Sequence, residues 1–223
     1  MSYQTDDWER MKATSNRGSY VMSCCKSPAV LKTSILGIHF FSHVSDECFT
    51  APETIWHRDA KSSVVAALDA LKIKSQEEVS GVTPDGQKWR ADVFFEHCGR
   101  RFAIELQHTP QTLSEFMRRQ QRYEASSVKC YWVVRTEVFL RLQKATVQYA
   151  LKRFHGGKLP VDGVGTGAIP ELPVAMLQPG TEQPMQFGLL KASTITTWIL
   201  ALLENRYKYF EGSWYITEQQ SLF

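Results

Sequence analysis

The sequence predicts an α/β fold, with a mixed central sheet flanked by helices and small N-terminal and helical C-terminal additions, on three observations. Residues 89–107 alternate around Cys98-Gly99, with Ala91, Val93 and Phe95 on one side of the first run and Phe102, Ile104 and Leu106 on one side of the second. That is a β-hairpin with one buried face. Before it, residues 50–71 carry apolar side chains at helical spacing. After it, a helical stretch at 113–125 leads into 130–135, nearly all apolar as a central strand should be, so strand, helix and strand form a βαβ crossover.

The chain has 223 residues, 43% of them hydrophobic, enough for one good-sized domain or a domain with an appendage. No run is long enough to span a bilayer, and the polar start has no signal-peptide pattern, so no membrane association is expected. Five cysteines, an odd number with Cys24 and Cys25 adjacent, suit a reducing cytoplasm better than a secreted disulfide framework. A net charge of +3 does not by itself announce a nucleic-acid binder. Its distribution says more: 141–158 holds Arg141, Lys144, Lys152, Arg153 and Lys158 with no acid. Such a run is either a solvated helix face or a phosphate-backbone track.

In chain order, 1–18 is polar and aperiodic, and 19–48 holds short apolar runs with Cys24, Cys25, His39, His43 and Cys48. These are either ligands of a structural Zn²⁺ or buried thiols and packed histidines, and adjacent cysteines rarely both reach one ion. Thr50, Pro52 and Glu53 read as N-cap, first turn and capping box of a helix with the apolar stripe Trp56, Ala60, Val64, Ala67, Leu68 and Leu71. Glu53, His57 and Lys61 interrupt that face at four-residue intervals, so its first half looks into a polar site. Residues 72–88 read as a loop with a short strand at 79–83. In the helix 113–125, Leu113, Phe116 and Met117 form the buried stripe, Glu115, Arg118, Arg119 and Arg122 the other side, and Tyr123 the border. A basic helix covers 141–154. Residues 156–188, with seven glycines and five prolines, read as loop or short irregular strand, and 195–209 as an apolar helix docked on the core. The expected organisation is 1–49, a Cys/His-containing segment, 50–155, the core, and 156–223, loop plus helical extension.

In the hairpin register Asp92 falls opposite Glu105, beside Gln107. Like charges directly opposite in a sheet are destabilising, which a divalent cation with oxygen ligands would relieve. The alternative is that the acids pair with Arg90 or Arg101.

The arrangement resembles the PD-(D/E)xK nuclease superfamily, in which one strand carries a metal-binding Asp and the next carries acid-x-Lys. Here Glu105-Leu106-Gln107 replaces the usual Lys with Gln. It is also similar to the competence protein CoiA-like family, in Arg90-Ala91-Asp92-Val93, in Ala103-Ile104-Glu105-Leu106-Gln107, in a helix with Glu115, Arg119 and Tyr123, and in the strand Tyr131-Trp132-Val133-Val134. His39-Phe40-Phe41-Ser42-His43 resembles that family's His-Phe-x-His box, although it is one residue longer and the upstream cysteines are adjacent. The resemblance implies a PD-(D/E)xK-like core holding Mg²⁺ or Mn²⁺ on Asp92, Glu105, Glu53 and the Leu106 carbonyl. Gln107 would position water or phosphate, His57 would contact that shell, and Lys61 would replace the charge of the missing Lys. Substrate contacts would come from Arg119 and Tyr123, with Lys152 and Arg153 on the basic stripe. The expected function is a metal-dependent nuclease, on DNA rather than RNA, in recombination, repair or defence. The alternatives are a catalytically weak nucleic-acid-binding module that keeps the fold and a zinc-stabilised protein-interaction domain. The basic helix could equally face a second subunit or a protein partner.

Overall fold

The structure, a computed structural model, describes residues 5–15, 19–23, 26–34, 37–44, 54–161, 163, 167–187 and 191–218. Two compact units divide the chain, Met1–Glu53 and Thr54–Phe223. In the first, helix α1 (Thr5–Thr14) is followed by an antiparallel pair, β1 (Ala29–Thr33) and β2 (His39–His43). Trp8 is buried there, stacked on His39 at 5.0 Å and edge-on to Phe41, and its indole N–H donates to Thr33 Oγ1 at 3.2 Å. Cys24, Cys25 and Cys48, and with them most of the zinc proposal, lie outside the described residues. Among the described residues no three His, Cys, Asp or Glu side chains group as a metal site.

The second unit runs α2 (Ile55–Ala70), β3 (Ser75–Val82), β4 (Lys88–His97), β5 (Arg100–Gln107), α3 (Leu113–Ala125), β6 (Val128–Val134), α4 (Thr136–Phe154), β7 (Val174–Leu177), β8 (Met185–Phe187), β9 (Lys191–Ser193), α5 (Ile195–Leu203), β10 (Tyr207–Phe210) and β11 (Ser213–Ile216). Seven strands make one mixed sheet in the order β3-β4-β5-β6-β7-β8-β9, with β5, β6 and β7 parallel and the remaining neighbours antiparallel. Helices α2 and α5 pack on one face over Val93, Phe95, Phe102, Ile104 and Leu106. On the other, α3 and α4 cover Ala91, Ala103, Cys130, Trp132 and Val134. No helix among the described residues is long and apolar enough to cross a membrane.

Several boundaries differ from expectation for local reasons. The first long helix starts at Ile55, not after Thr50: Thr54 is its N-cap and accepts from the His57 amide at 3.2 Å. Thr50 and Glu53 lie outside the described residues. The stretch read mainly as loop before the hairpin forms the eight-residue strand β3. The glycine-rich region after α4 contributes β7 and β8 to the sheet. The apolar run at 195–209 is helical only to Leu203, because Asn205 takes left-handed φ 56. The amides of Asn205 and Arg206 then bond the carbonyls of Leu202 and Ala201, a Schellman stop, and Tyr207 begins a β-hairpin. At α3 the N-cap is Thr112, whose hydroxyl accepts from the Glu115 amide at 3.2 Å. Thr112→Ala should lower stability by about 1 kcal/mol, read as a shifted urea midpoint with unchanged slope.

Candidate active site

The site forms where β4 and β5 separate. Their ladder runs from His97↔Arg100 to Val93↔Ile104. One residue further the Asp92 side chain enters the gap, and its Oδ2 accepts the Leu106 N–H at 2.7 Å. The expected alternation also breaks here, since Ala91 packs with the α3 side of the sheet while Val93 and Phe95 pack with the α2 side. On the neighbouring strand the register skips the same row: Glu77↔Val93 and Val79↔Ala91 are paired, and between them Glu78 has φ 58. Such distortion re-aims a side chain. Asp92 is thereby reached from the α2 face, where His57 Nε2 lies 3.2 Å from its Oδ1.

Glu105 points to the opposite face. Arg119 Nη2 donates to its Oε2 at 2.6 Å, and the Tyr123 hydroxyl donates to its Oε1. Arg119 Nη1 also reaches Gln107 Oε1 at 3.1 Å, and the guanidinium lies over the Trp132 ring, 4.8 Å from its centroid. Gln107 Nε2 donates to the Thr109 carbonyl and hydroxyl, at 2.8 and 2.9 Å. Trp132 Nε1 donates to Gln120 at 2.9 Å. The inward face of α3 is therefore wider than the Leu113, Phe116, Met117 stripe: Leu113 and Met117 pack against the core half-buried, while Phe116, Gln120 and Tyr123 are fully buried, with Arg119 beside them. An i, i+4 pair aimed at one acid moves Arg119 and Tyr123 from the assigned outer side and border to the interior.

The electrostatics divide the two acids. Burial drives the Glu105 carboxyl up to about 7; Arg119 opposes this, and the charge of Asp92 and a hydrogen bond with it add to it. Burial also pushes Asp92 upward, but the His57 hydrogen bond and charge, the Leu106 amide and Arg119 together hold it below its ordinary value. Asp92 thus carries negative charge across the physiological range, while Glu105 shares a proton near neutrality. Burial raises the Tyr123 hydroxyl, and the Glu105 charge raises it further, so it stays a donor.

The other expected residues are placed as follows. Lys61 is buried, with its ammonium on Glu78. Leu106 lies beside the acids and gives its amide to Asp92. Lys152 and Arg153 close the far end of α4: Arg153 bonds Glu171 and, at 3.0 Å, the Tyr149 hydroxyl. The Arg135 amide, at the other end of that helix, donates to the Gln107 carbonyl at 3.2 Å. Lys152 and Arg153 therefore stand roughly 25 Å along the helix axis from the acids. Arg90, named in the sequence reading as an alternative partner of the two acids, lies 2.8 Å from Glu78, a residue of β3 that had no role in that reading.

The donor set fits a hard divalent cation. Asp92 and Glu105, carboxylates from neighbouring strands, are the residues that would hold it, since Mg²⁺ is commonly bound through one or two carboxylates with water and phosphate completing its octahedron. Each carboxylate oxygen can accept more than one partner, so the contacts from Arg119, Tyr123, His57 and Leu106 leave coordination capacity.

A seven-stranded mixed sheet with helices on both faces is a nuclease-like α/β fold. Residues 53–156 match the family described as competence protein CoiA, nuclease-like domain. No curated protein matches the chain. Among solved structures, one titled as a protein of unknown function, AF1548, is similar at 18% identity and TM-score 0.30, over 37% of this chain and 48% of that one.

Proposed function

We propose that the domain is a Mg²⁺- or Mn²⁺-dependent nuclease acting on DNA. The observation that carries this reading is the buried Asp92 and Glu105 pair in the gap between β4 and β5, within a nuclease-like domain. Asp92 and Glu105 would hold the cation, together with the Leu106 carbonyl. When bound, it would supply a polarised phosphoryl oxygen and an acidified water. Arg119 and Tyr123 fix the Glu105 carboxylate between them, and Arg119 and Thr109 fix the Gln107 amide. Gln cannot act as a base, so the proton would be taken by His57 beside Asp92, once its imidazole is neutral, or by Glu53. Glu53, four residues before His57 in the sequence and outside the described residues, is proposed as a further ligand from the sequence alone. The specific observation favouring the second reading, a binding module with weak chemistry, is Gln107 in the lysine position.

The deciding experiment incubates the full chain with supercoiled, linear and single-stranded DNA, and with RNA, in Mn²⁺ and in EDTA, beside Asp92→Asn. Metal-dependent product lost in the variant is expected. Cleavage in EDTA, or an active Asp92→Asn, would overturn the reading. Binding without product would favour the second. Calorimetric Mn²⁺ titration provides a check independent of turnover, with a single site lost in Asp92→Asn.

The distance to Lys152 and Arg153 gives a separate expectation. Replacing both by Ala should flatten the log-log salt dependence of affinity by up to about 0.9 per lost contact on a 20-base-pair duplex. On a duplex of about 7 base pairs, too short to reach them from the acids, the slope should not change. An unchanged slope on both would remove this end of α4 from the substrate path.

A further inference from the structure

Glu78 stands in the same cross-strand row as Asp92 and Glu105, between the pairs Glu77↔Val93 and Val79↔Ala91. Adjacent strands are about 5 Å apart, so Glu78 is the immediate neighbour of Asp92. Its left-handed φ of 58 is uncommon for a residue with a Cβ. Such a conformation persists where its surroundings over-determine it. Two cations do so here. The Lys61 ammonium bonds Oε1, and Arg90 Nε lies 2.8 Å from Oε2 as an ion pair, while the more exposed Glu77 lies 3.9 Å from Lys61. Lys61 is one helical turn beyond His57, so a single face of α2 delivers an imidazole to Asp92 and an ammonium to the next acid in the row.

We propose that Glu78 is a positioning residue, whose carboxylate gathers Lys61 and Arg90 into a cation pair beside Asp92 that receives the non-bridging oxygens of a substrate phosphodiester. The inference rests on the nuclease reading above and adds to it the origin of the charge that Gln107 lacks. An unpaired ammonium as deeply buried as Lys61 would be costly. Bonded to Glu78, with Glu77 at 3.9 Å, it stays charged and is held in one direction. The guanidinium matches phosphate geometry. Lys61 alone would be a flexible point charge without a fixed direction.

The test uses the full chain labelled with ¹⁵N-lysine. A buried, ion-paired ammonium exchanges slowly enough to be seen, and Lys61→Met assigns the signal. In EDTA, a duplex with phosphorothioate linkages should shift the Lys61 signal in the parent, and Glu78→Gln should broaden that signal away. In Mn²⁺, Glu78→Gln should lower kcat about 10- to 100-fold at near-parental KM, and Lys61→Met about 100- to 1000-fold. In the Lys61→Met background, Glu78→Gln should cost less than about 3-fold, because both changes act through one ammonium. A Lys61 signal indifferent to the duplex, or two rate effects that multiply, would overturn the proposal. If the parent cuts nothing in Mn²⁺ the nuclease reading fails, and the ammonium shift alone then decides whether the pair binds phosphate. Glu78→Asp, which keeps the carboxylate, replaces Glu78→Gln if unfolding curves show that the latter does not fold.

Discussion

Glu105→Gln should eliminate cleavage and at the same time make the metal-free protein more stable in alkaline solution. A carboxyl whose pKa is higher in the folded than in the unfolded chain favours folding while it is protonated. For Glu105 that contribution is complete below the unfolded value of about 4.5 and is lost as pH rises through about 7. The amide keeps a neutral group at every pH, can donate to Tyr123 or Asp92, and can still accept from Arg119. The gain over the parent should therefore grow from near zero at pH 4.5 to the order of 1 to 3 kcal/mol at pH 8. Urea unfolding in EDTA at several pH values measures it. A gain that shrinks with rising pH would mean that the acid is stabilised as a carboxylate and that the pair is an ordinary structural salt bridge. The loss of cleavage should reach three orders of magnitude or more, because removing one of two charged ligands disables both metal binding and phosphate activation.

Arg119→Ala should produce the largest loss of stability of any single change at the site, about 3 to 5 kcal/mol. The guanidinium bonds Glu105 and Gln107 and covers the Trp132 ring, so its removal leaves a buried carboxyl without its counter-charge and opens a cavity against an indole. Part of the loss is recovered when Glu105 binds a proton, so the deficit should be smaller at pH 5.5 than at pH 8. Arg119→Lys should fall between parent and alanine variant, since one ammonium cannot fork to both acceptors. Chemical denaturation of the three proteins at the two pH values checks the order. A loss below 1 kcal/mol would show that the contact is solvated and that Glu105 is held mainly by Tyr123.

The central architecture was legible because two signals are local and strong. Alternation fixed the hairpin around Cys98-Gly99, and the apolar run at 130–135 fixed a buried strand parallel to β5. Register alone put Asp92 across from Glu105 in the sequence reading, whereas the ladder stops one residue short of that pair, at Val93↔Ile104. The face flip between Ala91 and Val93 was not legible, because it depends on a distortion shared with β3, a strand whose polar sequence Ser75–Val82 carries little alternation. Arg119 was misplaced because charge normally marks a solvent face, and only the buried acid opposite could reveal otherwise. Glu78 was missed for the same reason: nothing in a neighbouring pair of glutamates signals that one of them turns inward. The C-terminal strands were hidden by their brevity, three or four residues each, and the end of α5 by an asparagine doing the work usually given to glycine.

The Leu106 amide is held by the Asp92 side chain, not by a carbonyl of β4, and this single substitution in the ladder gives the site a built-in gauge. Its hydrogen–deuterium exchange depends on the whereabouts of one carboxylate. Ligands that draw Asp92 away would quicken exchange at Leu106 against the trend of a protein becoming more rigid, while ligands that fasten it would slow that position before any other in β5. One backbone position thus distinguishes occupancy of the gap from binding elsewhere on the surface, with neither a reaction product nor a label.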